Sequence, residues 1–315
     1  MKALVKRRCT AANGLEAIIG YERLLLDALE GEAAPCVLPE VKYFTGKEGI
    51  TFPVLFCHER TNRPFRVYQT QTREDCPFCS NVAGRLTSPI VVRGMQWLAA
   101  SWPIKAYHGI CYPPEHRASI LSEDICKLGA FVDITGDAVA CINMRGSGAS
   151  VPDHFHAQLH DCSLLSNSGT EPKAEAFPLL KCESELVALR GELALYRLPT
   201  YPAYTLILRG PWELLGRWLI TYLAASNIRP HNFVLAPHGR LVVIPRGLEK
   251  APRQENRYGA SEMLGLVAPV TYGAYCEIQN ADIITESLRL CGLQDHRDQL
   301  AVEEHAIWVM EYLTK

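Results

Sequence analysis

Apolar positions recur along the chain in two rhythms, and together they mark out alternating helices and strands. Leu15, Ile18, Ile19, Leu25, Leu26 and Leu29 follow helical spacing, with Asn13 placed to cap and Glu16 at the third helical position. Residues 13–29 are therefore predicted to be a helix. Short apolar runs at 52–57 and 65–68, separated by the polar stretch 59–64, read as strands, as do 90–92 and 108–112. The last of these stops at Pro113-Pro114. Ser122, followed by Glu123 and Asp124, opens a predicted helix to about Ala140, because hydroxyl caps and first-turn acids favour a helix N-terminus. A glycine- and serine-rich turn, 143–150, then leads into another strand.

Residues 164–177 are polar and form the most linker-like stretch of the chain. Beyond them the pattern predicts a helix at 183–195, a strand at 204–208, and a helix opened by Pro211 that runs to Ala225. A hairpin follows, with strands at 233–235 and 241–244 around the turn Pro237-His238-Gly239-Arg240, and two helices close the chain. No internal repeat is visible in the sequence. The expected fold class is α+β with substantial antiparallel sheet, in two similar-sized halves, 1–170 and 171–315.

Composition narrows the possibilities. With 315 residues, 48% of them hydrophobic, the chain can bury one large core or two ordinary ones, which excludes a disordered protein. A net charge of −2 argues against broad phosphate-backbone binding, so no nucleic-acid partner is expected. No stretch approaches the ~20 apolar residues that span a bilayer, and the basic N-terminus is followed by no apolar signal region. No membrane partner is expected, and the expected location is cytoplasmic. Of twelve cysteines, only those of Cys76-Pro77-Phe78-Cys79 are closely spaced. In a reducing compartment that pair reads as metal or redox chemistry, and the other ten read as core or surface thiols.

The most informative segment is Asp153-His154-Phe155-His156-Ala157-Gln158-Leu159-His160. On a strand, His154, His156, Gln158 and His160 share one face, while Phe155, Ala157 and Leu159 point into a core. Four ligand-capable groups on one face imply a site. Directly upstream, Asn143, Arg145, Ser147, Gly148 and Ser150 offer backbone amides, hydroxyls and a guanidinium suited to an anion. Two or three of the histidines could instead bind a catalytic metal.

These residues resemble the histidine-triad superfamily, and its transferase branch in particular, where the third triad position is glutamine, as Gln158 is here. Gly109-Ile110-Cys111-Tyr112-Pro113-Pro114-Glu115-His116 and Asp75-Cys76-Pro77-Phe78-Cys79 resemble elements of the uridylyltransferases of that branch, and fainter echoes of its phosphorylases lie at 232–235 and 243–246. The resemblance implies a histidine-triad-like antiparallel sheet with flanking helices. It implies that His156 forms a covalent nucleotidyl-histidine while Gln158 donates to a phosphate oxygen. It also implies a structural zinc held by Cys76, Cys79, His116 and His154. Asn143, Arg145, Ser147, Gly148, Ser150 and His160 become candidate substrate contacts, with His160 also readable as a structural histidine. The implied partners are a nucleotide sugar or other nucleotide, with phosphate or a sugar 1-phosphate as acceptor; a homodimer is left open. A hydrolase of the same fold and a non-catalytic zinc-stabilised nucleotide-binding protein are the alternatives. Phe155 stands where the uridylyltransferases carry proline.

Three further expectations concern lone residues. His108 reads equally as a packed or surface residue or one near phosphate, Arg246 as a surface arginine in preference to one reaching the second phosphate or sugar, and Trp212, Trp218 and Trp308 as core.

Overall fold

The computed structural model describes residues 40–58, 72–79, 90–92, 95–99, 108–136, 138–161, 177–225, 230–251 and 258–315. The predicted helix at 13–29, the predicted strand at 65–68 and all of the 164–177 linker except Phe177 lie outside the described residues.

Ten strands form one antiparallel sheet. Its first five are β3 (Ile90–Val92), β4 (Met95–Ala99), β5 (His108–Tyr112), β6 (Ala138–Asn143) and β7 (Ala157–Asp161). The other five are β8 (Glu185–Arg190), β9 (Leu193–Arg197), β10 (Leu206–Arg209), β11 (His231–Ala236) and β12 (Arg240–Pro245). Across the sheet the order is β3-β4-β5-β7-β6-β11-β12-β10-β9-β8. Each group of five has the same internal order, and each carries a 14-residue helix between its third and fourth strands: α1 (Ser122–Thr135) and α3 (Trp212–Ala225). The groups join where β6 pairs with β11, Asn143 opposite Asn232 and Ala140 opposite Leu235. The topology is thus repeated although the sequence shows no repeat.

Helices α1 and α3 cover one face of the sheet, together with α7 (His296–Leu313). Ala140, Ile142, Phe155, Ala157, Leu159, Phe233, Leu235, Leu241 and Val243 form the sheet side of that core. The opposite core takes the alternate residues Val139, Cys141, Val234, Ala236, Val242 and Ile244. It is closed by the hairpin β1 (Glu40–Thr45) and β2 (Thr51–Phe56) and by the helices α2 (Pro178–Lys181), α4 (Ala260–Met263), α5 (Tyr272–Glu277) and α6 (Ala281–Cys291). Alternation along the strands thus splits the apolar residues between two layers. Among the described residues no helix is long and apolar enough to cross a membrane.

Several expectations are corrected. Helix α1 ends at Thr135, because Gly136 adopts a left-handed conformation (φ 71°) and its N–H closes the helix on the Val132 carbonyl. Ala140 accordingly belongs to β6. At the other end Leu121 holds the cap position, and the Asp124 carboxylate reaches back to accept the Leu121 N–H at 2.8 Å, so Ser122 lies inside the first turn. The predicted helix at 183–195 is the hairpin β8–β9: Gly191 turns the chain at φ 54°, and pairing with β10 overrides the local preference of Glu, Leu and Ala for helix. Trp308 is 49% exposed, whereas Trp212 and Trp218 are buried. The hairpin is as expected, with Pro237, His238 and Gly239 between the paired residues Ala236 and Arg240, and His238 and Gly239 both at positive φ.

Helices α1 and α3 approach closely because Gly129 faces the Trp212 indole and Gly216 faces the Ser122 backbone. A methyl group at position 129 would overlap that indole. Gly129→Ala is expected to lower stability by about 1–3 kcal/mol, read as a reduced urea midpoint at unchanged m-value.

Candidate active site and metal cluster

His154 and His156 lie just before β7, not within it, and a strap from the neighbouring strand holds them. After β5 the chain turns at Pro113, and the Arg117 carbonyl accepts the Phe155 N–H at 2.6 Å. The Arg117 guanidinium bonds Asp124 at 2.6 Å and lies over the Phe155 ring. Asp124, at the start of α1, is buried. Helix α1 therefore anchors Arg117, and Arg117 anchors the residue between the two histidines. Nothing in the sequence singles out Arg117 or Asp124 beyond their nearness to His116 and the helix start.

Both nitrogens of His154 are committed. Its Nε2–H donates to the Pro113 carbonyl (3.1 Å), which leaves Nδ1 unprotonated and facing the sulfurs of Cys76 (3.2 Å) and Cys79 (3.5 Å). His116 Nδ1 lies 3.5 Å from Cys79 Sγ. The ligand atoms of Cys76, Cys79, His116 and His154 all fall within 4.8 Å of one another. Such spacings match the edges of a tetrahedron with zinc–sulfur bonds of about 2.3 Å and zinc–nitrogen bonds of about 2.0 Å. The donor set therefore fits a metal ion. Burial holds His154 down to about 4, so its ring stays neutral, as a ligand must be. Burial, with Cys76 alongside, pushes the Cys79 thiol up to about 11, against the opposing pull of Arg73.

His156 is only 5% exposed. Its Nδ1–H donates to the His154 carbonyl at 2.9 Å, which places a proton on Nδ1, so the lone pair of the neutral ring is on Nε2. Phe78, from the Cys76–Cys79 turn, packs beside its ring with centroids 5.0 Å apart. A cavity of about 420 Å³ opens next to this imidazole, walled by Ile142, Met144, Val151 and Phe155 and by Ile220 and Leu223 of α3. Asn143, Arg145 and His154 complete its polar side.

The remaining expected residues are distributed around this centre. Gln158, half-buried, and His160, fully buried, stand in β7 opposite Cys141 and Val139. They thus face the core away from α1 and α3. The turn after β6 bends through Gly146 (φ 78°) and Gly148 (φ 91°). Ser147 is fully buried, its hydroxyl shared between the carbonyls of Met144 and His231 at 2.7 Å each. Asn143 Oδ1 accepts from the Ala260 N–H and the Asn232 amide, both at 2.7 Å. The Gly148 N–H donates to Glu249 at 3.2 Å, and exposed Arg145 pairs with Asp153. Ser150 is half-buried at the end of the turn. His108 opens β5 as the backbone partner of His160.

Arg246 is corrected outright: it is 2% exposed. Its guanidinium bonds Asn232 Oδ1 and the carbonyls of Tyr258, Cys291, Leu248 and Glu249. It sits behind the turn, where β11 and β12 meet the segment that carries Glu249.

No family model matches the chain, and no curated protein matches it in sequence. Solved structures do match. Yeast Ap4A phosphorylase in complex with Ap4A superposes with a TM-score of 0.59 at 13% identity, covering 87% of this chain and 97% of that one. The chain shares the fold of that enzyme. Its complex with AMP gives 0.57 at 14% identity, over 88% of this chain and 96% of that one. An ADP-glucose phosphorylase from Arabidopsis thaliana, with bound ADP-glucose, aligns over 81% of this chain and 100% of that one at 12% identity and a TM-score of 0.35.

The cluster makes a direct prediction. Purified protein is expected to carry about one equivalent of zinc, the content of a single four-ligand site, measured by elemental mass spectrometry. Cys76→Ser and His116→Ala are each expected to lose most of that metal and to unfold at lower temperature, since metal affinity at a structural site is folding free energy.

Proposed function

We propose that this chain transfers nucleotidyl groups, as a nucleotidyltransferase or phosphorylase. Its substrate would be a nucleoside diphosphate sugar or a dinucleoside polyphosphate. The acceptor would be inorganic phosphate or a sugar 1-phosphate. The observation that carries the reading is the His156 Nδ1–H bond to the His154 carbonyl, which makes Nε2 a neutral nucleophile beside a cavity sized for a small molecule. The shared fold of an enzyme solved with Ap4A and with AMP supports it.

In this reading Nε2 attacks the α-phosphorus of the bound nucleotide. The N–P bond forms as the bridging P–O bond breaks, and that electron pair leaves with the departing sugar 1-phosphate or nucleoside polyphosphate. The ring becomes cationic, and the Nδ1–H bond to the His154 carbonyl strengthens as it does so. An oxygen of the acceptor then attacks the phosphorus and returns the pair to Nε2. Neither step needs a proton, because leaving group and acceptor are both phosphate anions. Gln158 does not line the α3-walled cavity and faces the other side of β7. It would donate to a phosphate oxygen only where the substrate passes the His156 edge, and it cannot supply a proton, which suits this chemistry better than hydrolysis. Arg145, with Ser150 and the turn amides, would meet the remaining phosphates, and His160 would hold Gln158 in place from the next in-facing position of β7.

Residues 1–170 would supply the nucleophile and the cluster, while α3 of residues 171–315 closes the cavity. Cys76, Cys79, His116 and His154 would hold zinc, which when bound cross-links the Cys76–Cys79 turn to the strap and the histidine segment.

The test is intact mass after incubation with UDP-, GDP-, ADP-, CDP- and dTDP-sugars and with Ap4A. One nucleoside monophosphate is expected on the wild type and none on His156→Ala; an adduct persisting in that variant overturns the assignment. Gln158→Ala is expected to slow adduct formation by roughly 10²–10³-fold, the effect of losing one transition-state donor. Nucleotide release should require phosphate or a sugar 1-phosphate, and release into buffer alone would indicate a hydrolase.

A further inference from the structure

We propose that β8 is an assembly edge, where a second copy of this chain pairs antiparallel about a two-fold axis between Val187 and Ala188. The inference goes beyond the catalytic reading and does not depend on it.

Among the described residues β8 is the outermost strand on one side of the ten-stranded sheet. Its residues are Glu185-Leu186-Val187-Ala188-Leu189-Arg190. An edge strand presents backbone donors and acceptors to any chain that lies beside it, and natural edges are blunted by lysine, proline or a bulge. β8 contains no lysine and no proline, and Leu186 and Leu189 are each 59% exposed.

β8 does contain a bulge, and its place decides which faces the side chains take. Pairing with β9 passes from Leu186 opposite Tyr196 directly to Ala188 opposite Leu195, so Val187 is the extra residue. Val187 and Ala188 both pack into the core beneath α7, as do Leu193 and Leu195 of β9. Glu185 and Arg190, opposite Arg197 and Leu193, lie on that same face of the sheet. Leu186 and Leu189, opposite Tyr196 and Ala194, lie on the other. The order of faces along β8 is therefore the same from either end.

A regular strand lacks this property. Residues opposed in an antiparallel pair share a face, whereas residues three apart in a regular strand do not. The bulge removes the conflict. Leu186 can then oppose Leu189 of the second copy, Val187 can oppose its Ala188, and Glu185 its Arg190, with each pair on one face. The leucines make apolar pairs on one side and the chain ends make opposite-charge pairs on the other. Glu185 already accepts from Arg197 at 3.0 Å, and Arg190 donates to Glu311 of α7 at 2.8 Å. Across the axis these join into a row of alternating sign: Arg197 and Glu185 of one copy, then Arg190 and Glu311 of the other. The edge is self-complementary in shape and charge, as a two-fold contact requires.

Sedimentation equilibrium of the full chain from about 1 to about 100 μM covers the weak end of specific association. The wild type is expected at twice the chain mass. Two double variants set like charges against each other: Leu186→Lys with Leu189→Lys, and Leu186→Asp with Leu189→Asp. Each alone is expected to sediment as a monomer with native circular dichroism. Mixed in equal amounts they are expected to regain the double mass, because each lysine then faces an aspartate.

A wild type that stays monomeric throughout overturns the proposal. A lysine variant that remains dimeric does so too, since the contact would lie on another surface. So does a folded mixture that fails to associate, because the leucines would then not oppose one another. Assembly beyond the dimer is equally fatal, since a two-fold contact closes on itself. Should a double variant fold poorly, the single changes Leu186→Lys and Leu189→Asp set one lysine against one aspartate in the mixture and are read in the same way.

Discussion

Everything at the candidate site depends on one buried imidazole with both nitrogens engaged. His154 is tied to a backbone carbonyl on one edge and to two thiols on the other. The carbonyl requires a proton on Nε2 and the thiols face Nδ1, and burial outweighs the pull of the Pro113 bond toward the charged form, so the ring stays neutral. With the ring fixed, so is the direction of its own carbonyl, and that carbonyl sets the tautomer of His156. Geometry therefore passes from the loop after β5, through His154, to the next histidine. It is a scaffold assembled from three chain segments that are remote in sequence.

The join between the two five-stranded groups is apolar along most of its length and polar at one end. Asn143 faces Asn232 across β6 and β11, and Arg246 closes the network from behind. Buried polar groups of this kind are tolerable only when fully partnered, and Arg246 reaches five acceptors. The same residues brace the glycine turn, through the Asn232 bond to the Ser147 carbonyl and the Ser147 bond to the His231 carbonyl. Of the residues first taken as substrate contacts, Ser147 and Asn143 hold this frame, whereas Arg145 stands exposed at the cavity.

Some of this was legible in the chain and some was not, for identifiable reasons. The period-two spacing of Gln158 and His160 against Ala157 and Leu159 declares a strand with one polar face, and the structure has it. Cys79 and His154 are 75 residues apart, so no spacing rule joins them; resemblance brought the four ligands together, and the geometry agrees. The buried roles of Arg117, Asp124 and Arg246 do not show in the sequence, because a lone charged residue looks solvated and only tertiary partners reveal otherwise. The stretch 183–195 was misread because Glu, Leu and Ala favour helix in isolation, while the free edge of β10 offered ladder bonds that helix formation would forgo. The repeated strand order was hidden because the shared feature is topology, which sequences of very different composition can satisfy.

That repetition has a consequence for how the join is maintained. Two separate chains meeting at β6 and β11 would lose translational and rotational freedom on assembly, and would need an apolar surface large enough to offset that loss. Here both partners belong to one polypeptide, so the encounter is intramolecular and its effective concentration is set by the connecting chain. Dilution cannot separate them. A join relieved of holding two molecules together can accept asparagines and a buried arginine at one end. It can also let the two sides diverge, one keeping the histidines and the other lending a wall to the cavity.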